Sequence, residues 1–206
     1  MEDQRKLILA SQSPRRRYLL EQAGLTFTVV PSAIDEAALP VCAPQAYARK
    51  LAEAKTADIA AKHPGSWVIG ADTIVVINGD ILGKPDSMAA ARGMLQQLSG
   101  QTHAVITGFA IYCEAAGHHY AETTTTAVTF KTLSAAEIEW YVQTREPFDK
   151  AGAYAIQGIG TFLVRSIHGS YTNVVGLPVC EVIEHLLAQG VIHHRTLGPP
   201  GKNGVW

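Results

Sequence analysis

Cysteine is scarce in this sequence of 206 residues, which contains only Cys42, Cys113 and Cys180. The three are odd in number and widely separated, and they form no C-x-x-C pair. This usage indicates reduced, mostly buried thiols in a cytosolic protein. No cationic motif adjoins any of them in the sequence, so a catalytic cysteine is not indicated.

Apolar segments of membrane-spanning length are absent as well. Met1 leads directly into the polar residues 2–6, without the apolar stretch of a signal peptide. No segment is long enough to cross a bilayer. We therefore expect a soluble, cytoplasmic protein without a membrane partner.

The sequence also has no surplus of positive charge. Lys and Arg number 17 against 18 Asp and Glu, giving a formal net charge of -1 and a pI near 6.7. Broad electrostatic binding to nucleic acid needs a basic surplus, so no nucleic-acid partner is expected. A P-loop is missing too, which argues against γ-phosphate hydrolysis of the Walker type. A small anionic ligand that meets a local cluster of cations remains compatible with this composition.

Strands and helices alternate along the chain, and the 47% hydrophobic content allows one α/β domain or two small lobes. The apolar pattern and turn residues predict strands over residues 6–10, 26–30, 67–77, 80–84, 104–113 and 120–130. They predict helices over residues 14–24, 44–63 and 86–98, one that opens at the capping box 134–137, and one from 178 to 190. A hairpin of 162–167 with 171–175 is also expected. The domain is expected to span residues 1–190, followed by a flexible tail over 191–206.

The segment from Ser11 to Arg17 is the most informative part of the chain. It follows a short apolar strand, and it opens a helix in which Ser13 can act as N-cap and Pro14 as the first residue. Backbone N–H groups, the positive end of the helix dipole and arginine side chains all favour phosphate oxygens. Taken alone, the segment is better explained as a capped surface helix with solvated arginines. We expect the side chains of Arg15 and Arg16 to face solvent when no ligand is bound.

Other polar residues stand at the ends of predicted elements. Asp72 interrupts an apolar strand, where a carboxylate is costly unless it is paired or binds a metal. Lys84 precedes a proline and therefore leaves an extended segment. Lys55 on its helix and Glu36 in its loop are compatible with ordinary solvated positions. The adjacent pairs His118-His119 and His193-His194 point to opposite faces of an extended chain, so neither is expected to chelate a metal. Trp140 and Tyr141 are expected to be core residues.

Eight segments of the chain together resemble the Maf-like nucleoside triphosphate pyrophosphatases. In chain order they are Leu7–Arg16, Ile34–Glu36, Leu51–Thr56, Ile69–Thr73, Leu82–Pro85, Leu98–Gly108, Glu146–Gly158 and Gly169–Pro178. The A-D-T and D-K-A-G-A-Y-x-I-Q-G runs look like the branch that acts on dTTP and UTP. The resemblance implies an α/β fold with an elongated mixed β-sheet flanked by helices, in two lobes with the active-site cleft between them. It also suggests a homodimer.

The family pattern also assigns site residues. It implies a catalytic set of Arg15, Arg16, Glu36, Lys55, Asp72 and Lys84, with Ser11 as a further cleft residue that binds substrate. Asp72 matches the proposed proton acceptor, and Arg15, Thr73 and Gln157 match positions tied to the choice of base. The implied reaction converts a nucleoside triphosphate, dTTP or UTP and modified pyrimidine nucleotides included, to the monophosphate and pyrophosphate.

These residue types suit that reaction. Water attacks the α-phosphorus, and four cations with a divalent metal (Mg²⁺, Mn²⁺ or Co²⁺) disperse the charge of the leaving pyrophosphate. Asp72 and Glu36 supply hard oxygens for the metal and a group that activates water. Which carboxylate is the ligand and which is the base does not follow from the sequence. An alternative function is a regulatory inhibitor of septum formation that acts as a binding protein, since the family name is associated with septum arrest.

Overall fold

A seven-stranded mixed β-sheet forms the frame of the computed structural model, which describes residues 6–193. The strands are β1 (Leu7–Leu9), β2 (Thr28–Val29), β3 (Trp67–Ile77), β4 (Asp80–Leu82), β5 (Thr102–Cys113), β6 (His118–Phe130) and β7 (Val164–His168). They lie in the order β2-β1-β3-β5-β6-β7, and β4 also pairs with β3. β1 runs parallel to both β2 and β3, and the other pairs are antiparallel. The predicted mixed sheet is confirmed.

Within residues 6–193, six α-helices flank the sheet, and short side chains cap most of them. They are α1 (Pro14–Gln22), α2 (Pro44–Lys62), α3 (Met88–Leu98), α4 (Ala135–Gln143), α5 (Tyr171–Val175) and α6 (Val179–Ala188). Ser13 accepts a hydrogen bond from the backbone N–H of Arg16, and Ser134 forms the expected capping box with Glu137. Over residues 6–193, no helix is long and apolar enough to cross a membrane.

The alternation of side chains along β3 divides the hydrophobic interior. Val68 and Ile74 face α2 on one side of the sheet. On the opposite side, Ile69 belongs to a core shared with α1 and α6, and Val75 belongs to another core shared with α3 and α4. The two cores lie in the two halves of the elongated sheet, and polar residues lie between them.

An interruption in strand pairing creates the place for a site. On one edge of β3, β1 pairs with residues 67–69 and β4 pairs with residues 75–77. Among the described residues, no strand pairs with the intervening stretch 70–74 on that edge. Asp72 and Thr73 therefore lie at an open edge between the two halves of the sheet.

The predicted hairpin over residues 162–175 is wrong in its second half. Residues 171–175 form α5, because the side chain of Ser170 accepts a hydrogen bond from the backbone N–H of Asn173. In the first half, β7 pairs with β6 instead. The β-branched and aromatic residues of 171–175 favour a strand locally, but the serine cap and the packing of Asn173 determine a helix.

Two burial predictions also need correction. Trp140 is 53% exposed and contacts Phe162 at the surface, whereas its neighbour Tyr141 is buried as expected. Of the thiols, only Cys113 is buried; Cys180 is exposed.

At the C-terminal end, Val191 and Ile192 pack in the first core, so ordered packing extends past residue 190. Residues 194–206 of the expected tail lie outside the described residues.

Buried His103 makes stability depend on pH. Its Nε2 lies 2.8 Å from the hydroxyl of Tyr154, and burial lowers the pKa of His103 from 6.5 to about 4. Between these two pH values the unfolded chain binds a proton that the folded chain does not bind. The contribution of His103 to the free energy of unfolding is therefore fully present above pH 6.5 and is lost as the pH falls toward 4. The difference amounts to about 3 kcal/mol.

We expect His103→Gln, which keeps a polar partner for Tyr154, to remove this part of the pH dependence. Urea unfolding between pH 4 and 7.5 measures it, with exposed His119→Gln as the matched control. The same dependence of the free energy of unfolding on pH in the wild type and in His103→Gln would contradict the role of His103.

Candidate active site

The open edge of β3 forms the floor of a cleft of about 1010 Å³. Its walls come from the β1–α1 turn, the 32–47 region, α2, the β3–β4 hairpin and the segment 149–157. All nine residues of the predicted site line this one cleft: Ser11, Arg15, Arg16, Glu36, Lys55, Asp72, Thr73, Lys84 and Gln157. The chain thus gathers residues that are up to 146 positions apart in the sequence.

Lys55 joins the two carboxylates of the cleft. Its Nζ lies 2.6 Å from Asp72 Oδ1 and 2.8 Å from Glu36 Oε1. The side chains of Lys55 and Asp72 are each only 13% exposed, whereas Glu36 is 54% exposed. The cleft therefore holds one sheltered carboxylate and one accessible carboxylate beside the same ammonium group.

The environment of Glu36 favours its charged form. Burial acts to raise the pKa of its carboxyl, but the hydrogen bond and charge of Lys55 outweigh that effect, with help from Lys84 and Arg16. The pKa of Glu36 is consequently below its ordinary value, so this accessible carboxyl group is an anion at neutral pH.

Arg16 is buried at 9% exposure, contrary to the expectation of a solvent-facing side chain. Its Nε donates to the carbonyl of Gly176 at 2.7 Å, and its two terminal nitrogens donate to Ser11 Oγ at 3.2 Å and Thr73 Oγ1 at 3.0 Å. Burial lowers the pKa of Arg16, and the charge of Asp72 opposes that shift. A guanidinium stays protonated throughout the physiological range, so Arg16 is a fixed cation at the helix start.

Arg15 is held differently. It is more exposed than Arg16, and its Nη1 lies 3.2 Å from Asp149 Oδ2 across the cleft. Asp149 also pairs with Lys150, whose Nζ lies 2.5 Å from Asp149 Oδ1. Burial acts to raise the pKa of Asp149, but Lys150 and Arg15 hold it below the ordinary value.

Sequence reasoning did not single out Asp149 or Lys150 as cleft residues. The signal that could have found them was their position at the start of the D-K-A-G-A-Y-x-I-Q-G run, within the family segment Glu146–Gly158.

The donor set fits a divalent cation that is shared with phosphate oxygens. Asp72 and Glu36 offer hard carboxylate oxygens close to one point. The described part of the chain contains no group of three or more His, Cys, Asp or Glu residues that could hold a metal ion by themselves. Mg²⁺ is commonly bound by one or two carboxylates together with substrate phosphates, so two carboxylates suffice.

This chain is similar to known proteins over most of its length. A family model described as Maf-like protein matches residues 6–189. A dTTP/UTP pyrophosphatase of Geobacter metallireducens is 50% identical over 192 residues, which cover 93% of this chain and 100% of the relative. One of Syntrophus aciditrophicus is 48% identical over 185 residues, 90% of each protein. The structure of a HAM1 protein from Coxiella burnetii has a TM-score of 0.50 at 14% identity, covering 90% of this chain and 99% of that protein, and it shows a shared fold.

The different burial of the arginines predicts different effects on stability. Arg16→Ala removes three hydrogen bonds from a charged donor, so we expect it to lower the free energy of unfolding by about 2 kcal/mol. Arg15→Ala breaks an exposed ion pair, worth at most about 1 kcal/mol. Urea unfolding measures both, with Arg17→Ala on the exposed side of α1 as control. Equal midpoints for Arg16→Ala and Arg17→Ala would contradict this account.

Proposed function

The chain belongs to the Maf-like protein family, and on that premise we propose that it hydrolyses dTTP and UTP to the nucleoside monophosphate and pyrophosphate. The observation that carries the proposal is the pair of carboxylates on Lys55, which lies in one cleft with Arg15, Arg16 and Lys84. Modified pyrimidine nucleotides are included in the proposed substrate class. The enzyme is a hydrolase that acts on an acid anhydride.

The cations of the cleft suit a triphosphate. Arg16 is fixed at the N-terminus of α1, where the helix dipole adds to its positive charge. Arg15 can exchange its carboxylate partner Asp149 for a phosphate, and forked guanidinium groups match phosphate oxygens in pairs. Lys84 adds a charge at the opposite wall. Together they stabilise the negative charge that grows on the leaving pyrophosphate.

The carboxylates suit activation of water. Asp72 is sheltered, and Lys55 holds its carboxylate in one orientation, so it can accept a proton from a water directed at the α-phosphorus. Glu36 and Asp72 are the residues that would hold the divalent cation. When bound, that cation would neutralise phosphate charge and favour the displacement. Mg²⁺, Mn²⁺ and Co²⁺ are the candidates.

Loss of the sheltered carboxylate tests the proposal. We expect metal-dependent release of pyrophosphate from dTTP and UTP, abolished by EDTA, and a fall in kcat of about 10²–10⁴-fold or more in Asp72→Asn. A pyrophosphate assay across all common nucleoside triphosphates measures it. Asp86→Asn, an exposed carboxylate outside the cleft, is the control.

Robust release of pyrophosphate by Asp72→Asn would sink this mechanism. If Asp72→Asn loses turnover, metal affinities of Asp72→Asn and Glu36→Gln then assign the ligand and the base.

In this proposal, the enzyme selects the nucleotide base through Gln157. Gln157 lines the cleft and carries an amide donor and acceptor suited to the edge of a pyrimidine. We expect Gln157→Glu to lower kcat/KM for dTTP and UTP more than for purine nucleotides, with unchanged metal dependence. Steady-state kinetics on the same panel measure it. An equal fall in kcat/KM for all nucleotides would contradict a role of Gln157 in base selection.

A further inference from the structure

Two buried polar residues outside the predicted site lie directly behind Arg16. Thr107 on β5 and Asn173 on α5 are both fully buried. They lie between the two hydrophobic cores, in a position where apolar side chains would be less costly. Their hydrogen bonds therefore have to offset the cost of burying polar groups.

Thr107 is hydrogen-bonded to the residue that supports Arg16. Its Oγ1 lies 2.9 Å from Thr73 Oγ1 and donates to the carbonyl of Asn173 at 3.1 Å. Thr73 Oγ1 in turn accepts from Arg16 Nη2 at 3.0 Å and can donate to the carbonyl of Gly176 at 3.3 Å. A continuous chain thus runs from the guanidinium to α5.

Each threonine hydroxyl has one proton, so two proton arrangements keep the hydrogen bond between Thr73 and Thr107. If Thr107 donates to the Asn173 carbonyl, Thr73 donates to Thr107. If Thr107 donates to Thr73, then Thr73 donates to the Gly176 carbonyl. In both arrangements the proton of Thr73 stays inside the network, and its oxygen is left to accept from Arg16.

Asn173 fixes the other end of the chain. Its Nδ2 donates to the carbonyl of Val105 at 3.0 Å and to Thr126 Oγ1 at 2.9 Å, which ties α5 to β5 and β6. Its Oδ1 has no hydrogen-bond partner among the described residues. An unpaired buried oxygen is unfavourable, so the amide is held in this orientation by what its nitrogen does. That anchor sets the positions of the Asn173 and Gly176 carbonyls.

We propose that Thr107 and Asn173 are positioning residues for Arg16, which they hold at the phosphate end of the cleft through Thr73 and the Gly176 carbonyl. The role rests on the proposed pyrophosphatase function. The groups that hold Arg16 lie on one side of the sheet, and Lys55 and Asp72 lie on the other. The two groups can therefore be altered independently.

Thr107→Val tests the proposal because valine keeps the shape and removes the hydroxyl. The Asn173 carbonyl retains the backbone N–H of Gly176 at 3.0 Å, so no new unpaired carbonyl arises there. We expect kcat/KM for dTTP to fall about tenfold, through a lower kcat and a higher KM, which is the effect of one hydrogen bond on a placed charge. Thr107→Ser should restore activity. Thr102→Val is the matched control, since Thr102 makes a similar hydroxyl pair with Thr129 at an exposed part of the same strand.

A double-mutant cycle with Thr73→Val separates positioning from general loosening of the fold. If Thr107 acts through Thr73, Thr107→Val has little further effect on kcat in the Thr73→Val background. Independent, multiplying effects would overturn the proposal, as would a Thr107→Ser variant as impaired as Thr107→Val. Should Thr107→Val fail to fold, Thr107→Ala enters the same cycle.

Binding of inorganic pyrophosphate, followed by calorimetry, distinguishes failure of the positioning role from failure of the proposed reaction. We expect the Kd for pyrophosphate to rise several-fold in Thr107→Val and to stay at the wild-type value in Thr102→Val. A wild type without turnover would contradict the reaction, and an unchanged Kd in Thr107→Val would overturn the positioning role with or without turnover.

Discussion

The close packing of α2 against β3 and β5 is the constraint on which the rest of the site depends. At Gly108, a Cβ atom would lie only 2.3 Å from the carbonyl oxygen of Ala48, a backbone atom that cannot move aside. At Gly70 it would lie 2.1 Å from Thr56 Oγ1. Glycine on both strands therefore lets the helix backbone approach the sheet directly. The same approach brings Lys55, one position before Thr56, within hydrogen-bond distance of Asp72.

The sheet adds the second half of the arrangement. Since adjacent residues of a strand point to opposite faces, Asp72 faces α2 while Thr73 faces α1 and α5. At the open edge of β3 both faces are reached from one cleft. The carboxylate with its ammonium partner and the hydroxyl with its guanidinium partner thus lie on two sides of a single strand. One strand, which lacks a partner strand on one edge for five residues, serves both the water-activating and the phosphate-binding parts of the proposed reaction.

Local sequence patterns predicted the features that depend on residues close together in the chain, such as helix caps and strands. The caps at Ser13 and Ser134, the long apolar strand around Asp72 and the mixed sheet followed from spacing or from resemblance. The burial of Arg16 did not, because its main partner is the carbonyl of Gly176, 160 residues further along the chain. The contact of Arg15 with Asp149 spans 134 residues and is equally invisible to a local pattern. Residues 171–175 misled for the opposite reason, since strand-forming residues became helical under a cap and a buried amide.

The two neighbouring arginines show why such long-range contacts matter for function. Arg16 is held by a carbonyl and two hydroxyls, none of which carries charge, so its full positive charge stays available to the cleft. Arg15 is paired with a carboxylate that repels phosphate, so the proposed binding of a triphosphate requires that this ion pair be exchanged. A fixed cation contributes without reorganising, whereas a cation that changes partners couples binding to the segment that begins at Asp149. Arg16, with neutral partners, is therefore already in place before a ligand binds, whereas Arg15, with a charged partner, changes its contacts when a ligand binds. The two residues are neighbours in the first turn of α1.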